Sequence, residues 1–144
     1  MPEFRYAKGR ITETIAFITQ EIDEFMSDYS NKSWKEYHED GKLQKLMDRT
    51  VENILIAVIE ICGTVLSEEG IKSDSYGETV KICAKFFNFP VEDQENLSRL
   101  AIQRNRLAHR YLNYRWNAVK MFKEQQDIVV KLVKLILKRE TEKY

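Results

Sequence analysis

Apolar residues recur every three or four positions along most of this chain. Ile11, Ile15, Ile18, Ile22, Phe25 and Tyr29 form one stripe on a predicted helix of about four to five turns. Residues 27–42 break the pattern with Ser, Asp, Asn and Gly, which predicts a connection with at most a short turn around Trp34 and Tyr37. A second long helix follows, burying Leu43, Leu46, Met47, Thr50, Ile54, Ala57, Val58, Ile61 and Val65 and stopping near Glu69-Gly70. Ser75, with Glu78 three residues on, has the spacing of a capping box for a third helix. Its stripe is Tyr76, Val80, Cys83 and Phe87, and it ends before Pro90. The fourth starts after Pro90 with Glu92, Asp93 and Glu95 near its positive end, and carries Leu97, Leu100, Ala101 and Ala108. The last runs from about Trp116 to Lys138, with Val119, Phe122, Ile128, Val129, Leu132, Leu135 and Ile136 apolar. No period of two persists, so the predicted fold is all-α: an antiparallel bundle of four to five helices forming one domain over residues 1–144. The stripes are wide and aromatics such as Tyr114 and Trp116 are left over, so a homodimer is expected.

Composition narrows this picture. The 144 residues are 43% hydrophobic and 32% charged, with five Gly and two Pro. That is too apolar for a disordered chain and too poor in Gly and Pro for a turn-rich β-sandwich. No apolar run exceeds the six residues Ile54 to Ile59, which argues against a membrane-spanning helix. The N-terminus has no basic start followed by an apolar stretch, so no secretory signal is expected. Cys62 and Cys83 lie in apolar helical patterns without metal-ligand spacing, as expected of core thiols in a reducing, cytoplasmic setting.

The net charge is zero but unevenly distributed. Residues 1–98 hold 11 basic and 19 acidic side chains, whereas residues 99–123 hold seven basic ones and no acid. Those seven are Arg99, Arg104, Arg106, Arg110, Arg115, Lys120 and Lys123. Such a stretch suits an anionic partner such as RNA, or a basic face neutralised by acidic neighbouring helices.

Phosphate loops, nucleophile elbows and paired-cysteine metal motifs are all missing. Only two histidines occur, and His38 sits among Glu36, Glu39 and Asp40, as a solvated residue would. His109 lies at the centre of the basic stretch. An imidazole can move a proton between ribose and leaving oxygens, and a guanidinium can bind phosphate and stabilise the charge that builds on it. Such chemistry requires neither metal nor cofactor; a structural polar patch at a subunit contact is the bland alternative. On a straight helix, Arg104 would lie about 140° from His109 and Arg106 about 60° from it, which pairs His109 with Arg106 rather than Arg104. Either the helix ends or bends near Ala108, or Arg104 reaches in from the edge of a cleft between two subunits.

Arg104, four residues, His109, one residue and Tyr111 resemble the Arg-x4-His-x-Tyr motif of HepT toxins, within the HEPN ribonuclease superfamily. Asn105, the Ser33-Trp34 to Tyr37 and Asp40 segment, the Arg49-x-x-Glu52-Asn53 run and Ser75-Tyr76-Gly77-Glu78 are also similar to that family, over about residues 5–138. The resemblance implies a homodimeric, metal-independent endoribonuclease toxin of a toxin–antitoxin pair (type II or VII), with its site in the dimer cleft. Arg104 would hold the scissile phosphate and His109 would act as general acid–base. Asn105, Arg106, Arg110 and Tyr111 would support RNA binding. The implied partner is an MNT-type nucleotidyltransferase antitoxin that transfers AMP to Tyr111. The alternative is a non-catalytic helical module that binds a nucleotidyltransferase or nucleotide.

Overall fold

The computed structural model describes residues 10–143; the expectations placed on the first nine residues lie outside it. Six helices follow one another: α1 (Ile11–Glu24), α2 (Trp34–Glu39), α3 (Gly41–Glu68), α4 (Tyr76–Phe86), α5 (Val91–Ile102) and α6 (Leu112–Glu142). No strand occurs among the described residues. A wider π-helical turn, Phe25–Tyr29, extends α1, with the Ser30 amide donating to the Phe25 carbonyl at 2.8 Å. It keeps Phe25 and Tyr29 on the buried face that Ile11, Ile15, Ile18 and Ile22 begin.

α2 is more than the turn expected. Ser33 and Glu36 form a reciprocal capping box, and Tyr37 is wholly buried beneath it. Asp40 then caps α3 by accepting from the Lys42 and Leu43 amides. α3 touches every other helix, and its burial is correspondingly broader than the single stripe read from sequence. Val51, Leu55, Ile59, Cys62 and Leu66 are buried on its second face, while Leu46, at the edge of the first, is 46% exposed. The expectation for Leu46 is therefore wrong: neighbours wrap the opposite flank of α3 and leave that edge to solvent. The same burial explains an apolarity that run length understated. An 18-residue window of α3 reaches a mean hydropathy of 1.6, enough for a membrane span, yet 72% of it is buried among the other helices.

α3 ends where Gly70 takes a left-handed conformation (φ 70°), letting the Ile71 amide return to the Leu66 carbonyl at 2.8 Å. Asn88 (φ 64°) does the same for α4, with the Phe89 amide bonded to Ala84 at 3.0 Å. α4 and α5 thus form a tight antiparallel pair. Gly77 permits their closeness: a Cβ there would meet the Ile102 side chain and Ser98 Oγ at 3.1 Å. Cys62 and Cys83 are both buried and unbridged, and burial pushes the Cys62 thiol up.

Candidate functional site

The basic stretch does not continue α5. That helix stops at Ile102 and tightens into one 3-10 turn, Gln103–Asn105, before the chain turns through residues 106–108. The Arg106 amide bonds the Gln103 carbonyl at 2.9 Å and the His109 amide bonds the Arg106 carbonyl at 3.1 Å. Leu107, 6% exposed, pins the middle of this segment to the core. Ala108, expected on the buried stripe of the fourth helix, is instead exposed in the turn. The straight-helix angles between Arg104, Arg106 and His109 therefore do not apply, because the helix has already ended. α6 begins at Leu112, about one turn earlier than expected, with Tyr111 preceding its first residue.

The excursion displays its polar side chains in two groups. Half-buried Arg104 lies over the Tyr76 ring, 5.3 Å from its centroid, beside Asn105. Tyr76 is 40% exposed at the start of α4, not buried in a core stripe as expected. It is placed there because Ser75 caps α4 by accepting from Glu78 and because Gly77 brings α4 against α5. The Glu78 carboxylate turns to the Asp74 amide, so the reciprocal half of the expected capping box is replaced. On α3, burial pushes the Glu60 carboxyl up while the charge of Arg104 pulls against it. No ion pair joins the two among the described residues.

The second group surrounds His109. Its ring sits 4.8 Å from both Tyr111 and Tyr114, and those two rings lie 5.7 Å apart. Arg110 covers Tyr111 at 5.4 Å and Arg106 approaches Tyr114 at 6.0 Å. Tyr111 and Tyr114 are 50% and 42% exposed. His109 Nδ1 accepts from the Tyr111 amide at 3.1 Å, so the neutral ring carries its hydrogen on Nε2. Arg104, Arg106 and Arg110 form no ion pair with a carboxylate among the described residues, and each faces an aromatic ring instead. An anion can reach them without displacing an acid. No hydrogen bond joins Arg104 to His109 among the described residues, so one chain displays both groups without closing them on each other.

One arginine of the stretch has a different role. Arg115 donates to Asp48 at 2.8 Å, and Tyr37 donates to the other carboxylate oxygen at 2.7 Å. Burial pushes the Asp48 carboxyl up against the opposing pull of Tyr37 and Arg115, and burial beside Asp48 pushes the Tyr37 hydroxyl up as well. This cluster locks the first turn of α6, and hence the end of the His109 segment, to α2 and α3. Sequence reading missed it, along with the place of Tyr76. The only available signal was an acid at position 48 inside an apolar helix. His38 is exposed, as expected, with its ring 5.2 Å from Trp34. No group of three or more His, Cys, Asp or Glu suited to a metal occurs among the described residues.

The sequence model of a family described as ribonuclease HepT-like matches residues 16–134. The match spans α2, α3, α4, α5 and the whole basic excursion. No individual curated protein matches the sequence. An all-helical fold, half-buried Arg104 and His109 with exposed Tyr111 at motif spacing, and a family match over most of its length lead to one conclusion: this chain belongs to the HepT-like ribonuclease family.

Proposed function

We propose that the protein is the toxin of a toxin–antitoxin pair, a metal-independent endoribonuclease acting as a homodimer. One observation carries the reading: His109 and three arginines leave the end of α5 on a short excursion, and every one of those arginines faces an aromatic ring. Arg104 binds the scissile phosphate and stabilises the charge that grows on it. The ribose 2′-oxygen attacks phosphorus, its proton passes to an imidazole, and the bond to the 5′-oxygen breaks as that oxygen takes up a proton. The products are a 2′,3′-cyclic phosphate and a 5′-hydroxyl. His109 can accept that proton at Nδ1 only when the Tyr111 amide lets go, an exposed bond that RNA can displace. Because Arg104 and His109 do not meet within one chain, two copies facing each other supply the complete site. Asn105, Arg106 and Arg110 extend the contact with the strand.

Tyr111, half exposed and beside His109, is open to transfer of AMP by an MNT-type nucleotidyltransferase antitoxin. The added phosphate would place bulk and negative charge against Arg110 and His109, blocking RNA. The test is cleavage of labelled RNA with chelator present. Wild type should cut and leave cyclic-phosphate ends, while His109→Ala and Arg104→Ala should not. Binding of RNA without cutting by every form would overturn the enzyme reading in favour of a binding module.

A further inference from the structure

A second aromatic group flanks the first turn of α6, where Trp116 stands about 160° around the helix from Tyr114. Trp34 and Trp116 stand 5.7 Å apart, tilted 60°, and Trp116 lies 5.0 Å from Tyr37. They wall a cleft of about 600 Å³ whose floor is buried Phe25, Tyr29 and Met47. Lys32, Lys120 and Lys123 border it. Glu124 borders it too, but no ion pair joins that carboxylate to any of the three lysines among the described residues. Lys32 has only a loose contact with Glu36, at 3.7 Å. Trp34 is 42% exposed although a folded chain gains by burying an indole.

We infer that this cleft is a stacking subsite for an unpaired nucleobase of the RNA strand, with Lys120 and Lys123 on its phosphates. The occupant rests on the ribonuclease reading above; the cleft itself does not. An apolar floor and exposed indole faces suit the flat face of a base, and sequence-tolerant stacking is how proteins hold single strands. Lysines at the rim suit the phosphate attached to that base. Trp116 also follows His109 by seven residues, around the first turn of α6. A strand leaving His109 would cross a helix roughly 10–12 Å wide to reach it. Binding on both sides of that turn would hold the strand taut across the cutting group and favour single-stranded over paired RNA.

Trp34 and Trp116 are the protein's only tryptophans, so emission excited selectively at the indoles, and not at the seven tyrosines, reports on this cleft. The experiment titrates full-length protein with a six-nucleotide 2′-deoxy strand, which cannot be cut, and separately with AMP. Saturable, salt-sensitive quenching by the strand, at least about tenfold tighter than by AMP, is expected. Trp34→Ala should weaken binding of a labelled strand about 5- to 100-fold, and Lys120→Gln with Lys123→Gln should flatten its salt dependence. Helical circular dichroism verifies that these exposed changes leave the fold intact. No quenching by the strand, or quenching that Lys120→Gln with Lys123→Gln does not alter, would overturn the subsite. Tighter quenching by AMP would give the cleft to a free nucleotide. Fluorescence that follows protein concentration and ignores nucleic acid would give it to a second copy of the chain. RNA cleavage without strand quenching would sink the subsite and keep the enzyme; quenching without cleavage would do the reverse.

Discussion

Cations at the two ends of the molecule keep different company. Arg139 near the C-terminus of α6 reaches Glu68 at 2.9 Å, Glu140 at 3.1 Å and Glu69 at 3.2 Å, and Lys143 adds a bond to Glu68 at 2.8 Å. In the basic excursion, Arg104, Arg106 and Arg110 face Tyr76, Tyr114 and Tyr111. The first set is neutralised and ties α3 to α6. The second keeps its charge available, because a ring attracts a cation without cancelling it. Arg115 belongs by sequence to the second set and by contact to the first, since Asp48 holds it. Position in a charge run therefore does not decide what a cation does; the residue across from it does.

Four experiments sharpen or break that contrast. The largest effects should come from the excursion itself. His109→Ala and Arg104→Ala should each lower RNA cleavage at least about a hundredfold while the melting temperature barely moves. A comparable loss of stability in either variant would return these residues to the structural class. Next comes the arginine that changed sides: Asp48→Ala strands Arg115 and Tyr37 and should cost about 3 kcal/mol in urea unfolding. If Arg115 instead belonged with RNA, Asp48→Ala would leave stability unchanged.

Arg106→Gln and Arg110→Gln should weaken RNA binding by a few-fold, about equally across sequences. Each should reduce the slope of affinity against salt by roughly one. The smallest effect belongs to the paired end, where Arg139→Ala should cost under about 1 kcal/mol and leave cleavage untouched.

The two ion-paired carboxylates should also respond to pH with opposite sign. Burial works to raise Glu68, but the bonds from Lys143 and Arg139 prevail and hold it below its ordinary value. Its contribution is present at neutral pH and fades as pH falls through that lowered value, so wild type should lose more stability in acid than Glu68→Gln does. Asp48 is raised by its burial, so its ionisation costs stability as pH rises through the raised value. Wild type should therefore gain on Asp48→Asn when acidified. Parallel pH profiles for the two variants would erase the distinction.

Much of this was legible in the sequence. The stripe from Ile11 to Tyr29 is buried as read, and the stops at Gly70 and before Pro90 fall where expected. The family motif around Arg104, His109 and Tyr111 was visible as spacing and charge. The errors have two causes. Leu46 and Tyr76 sat on apolar stripes, and whether the edge of a stripe is covered depends on how wide the neighbouring helix is. Ala108 was placed on a helix that had ended, because nothing in Ile102 to Ala108 (no Gly, no Pro) signals the tight turn. Leu107, buried by the surrounding helices, fixes that turn.

The sequence by itself determined the long helices, the stops of α3 and α4 and the chemistry of the exposed segment, because periodicity, caps and residue type act within a few positions. Only the tertiary structure decided which cations are spent on carboxylates and which stay open. That choice depends on contacts such as Arg115 to Asp48, 67 residues apart, and Arg104 to Tyr76, which no local pattern encodes.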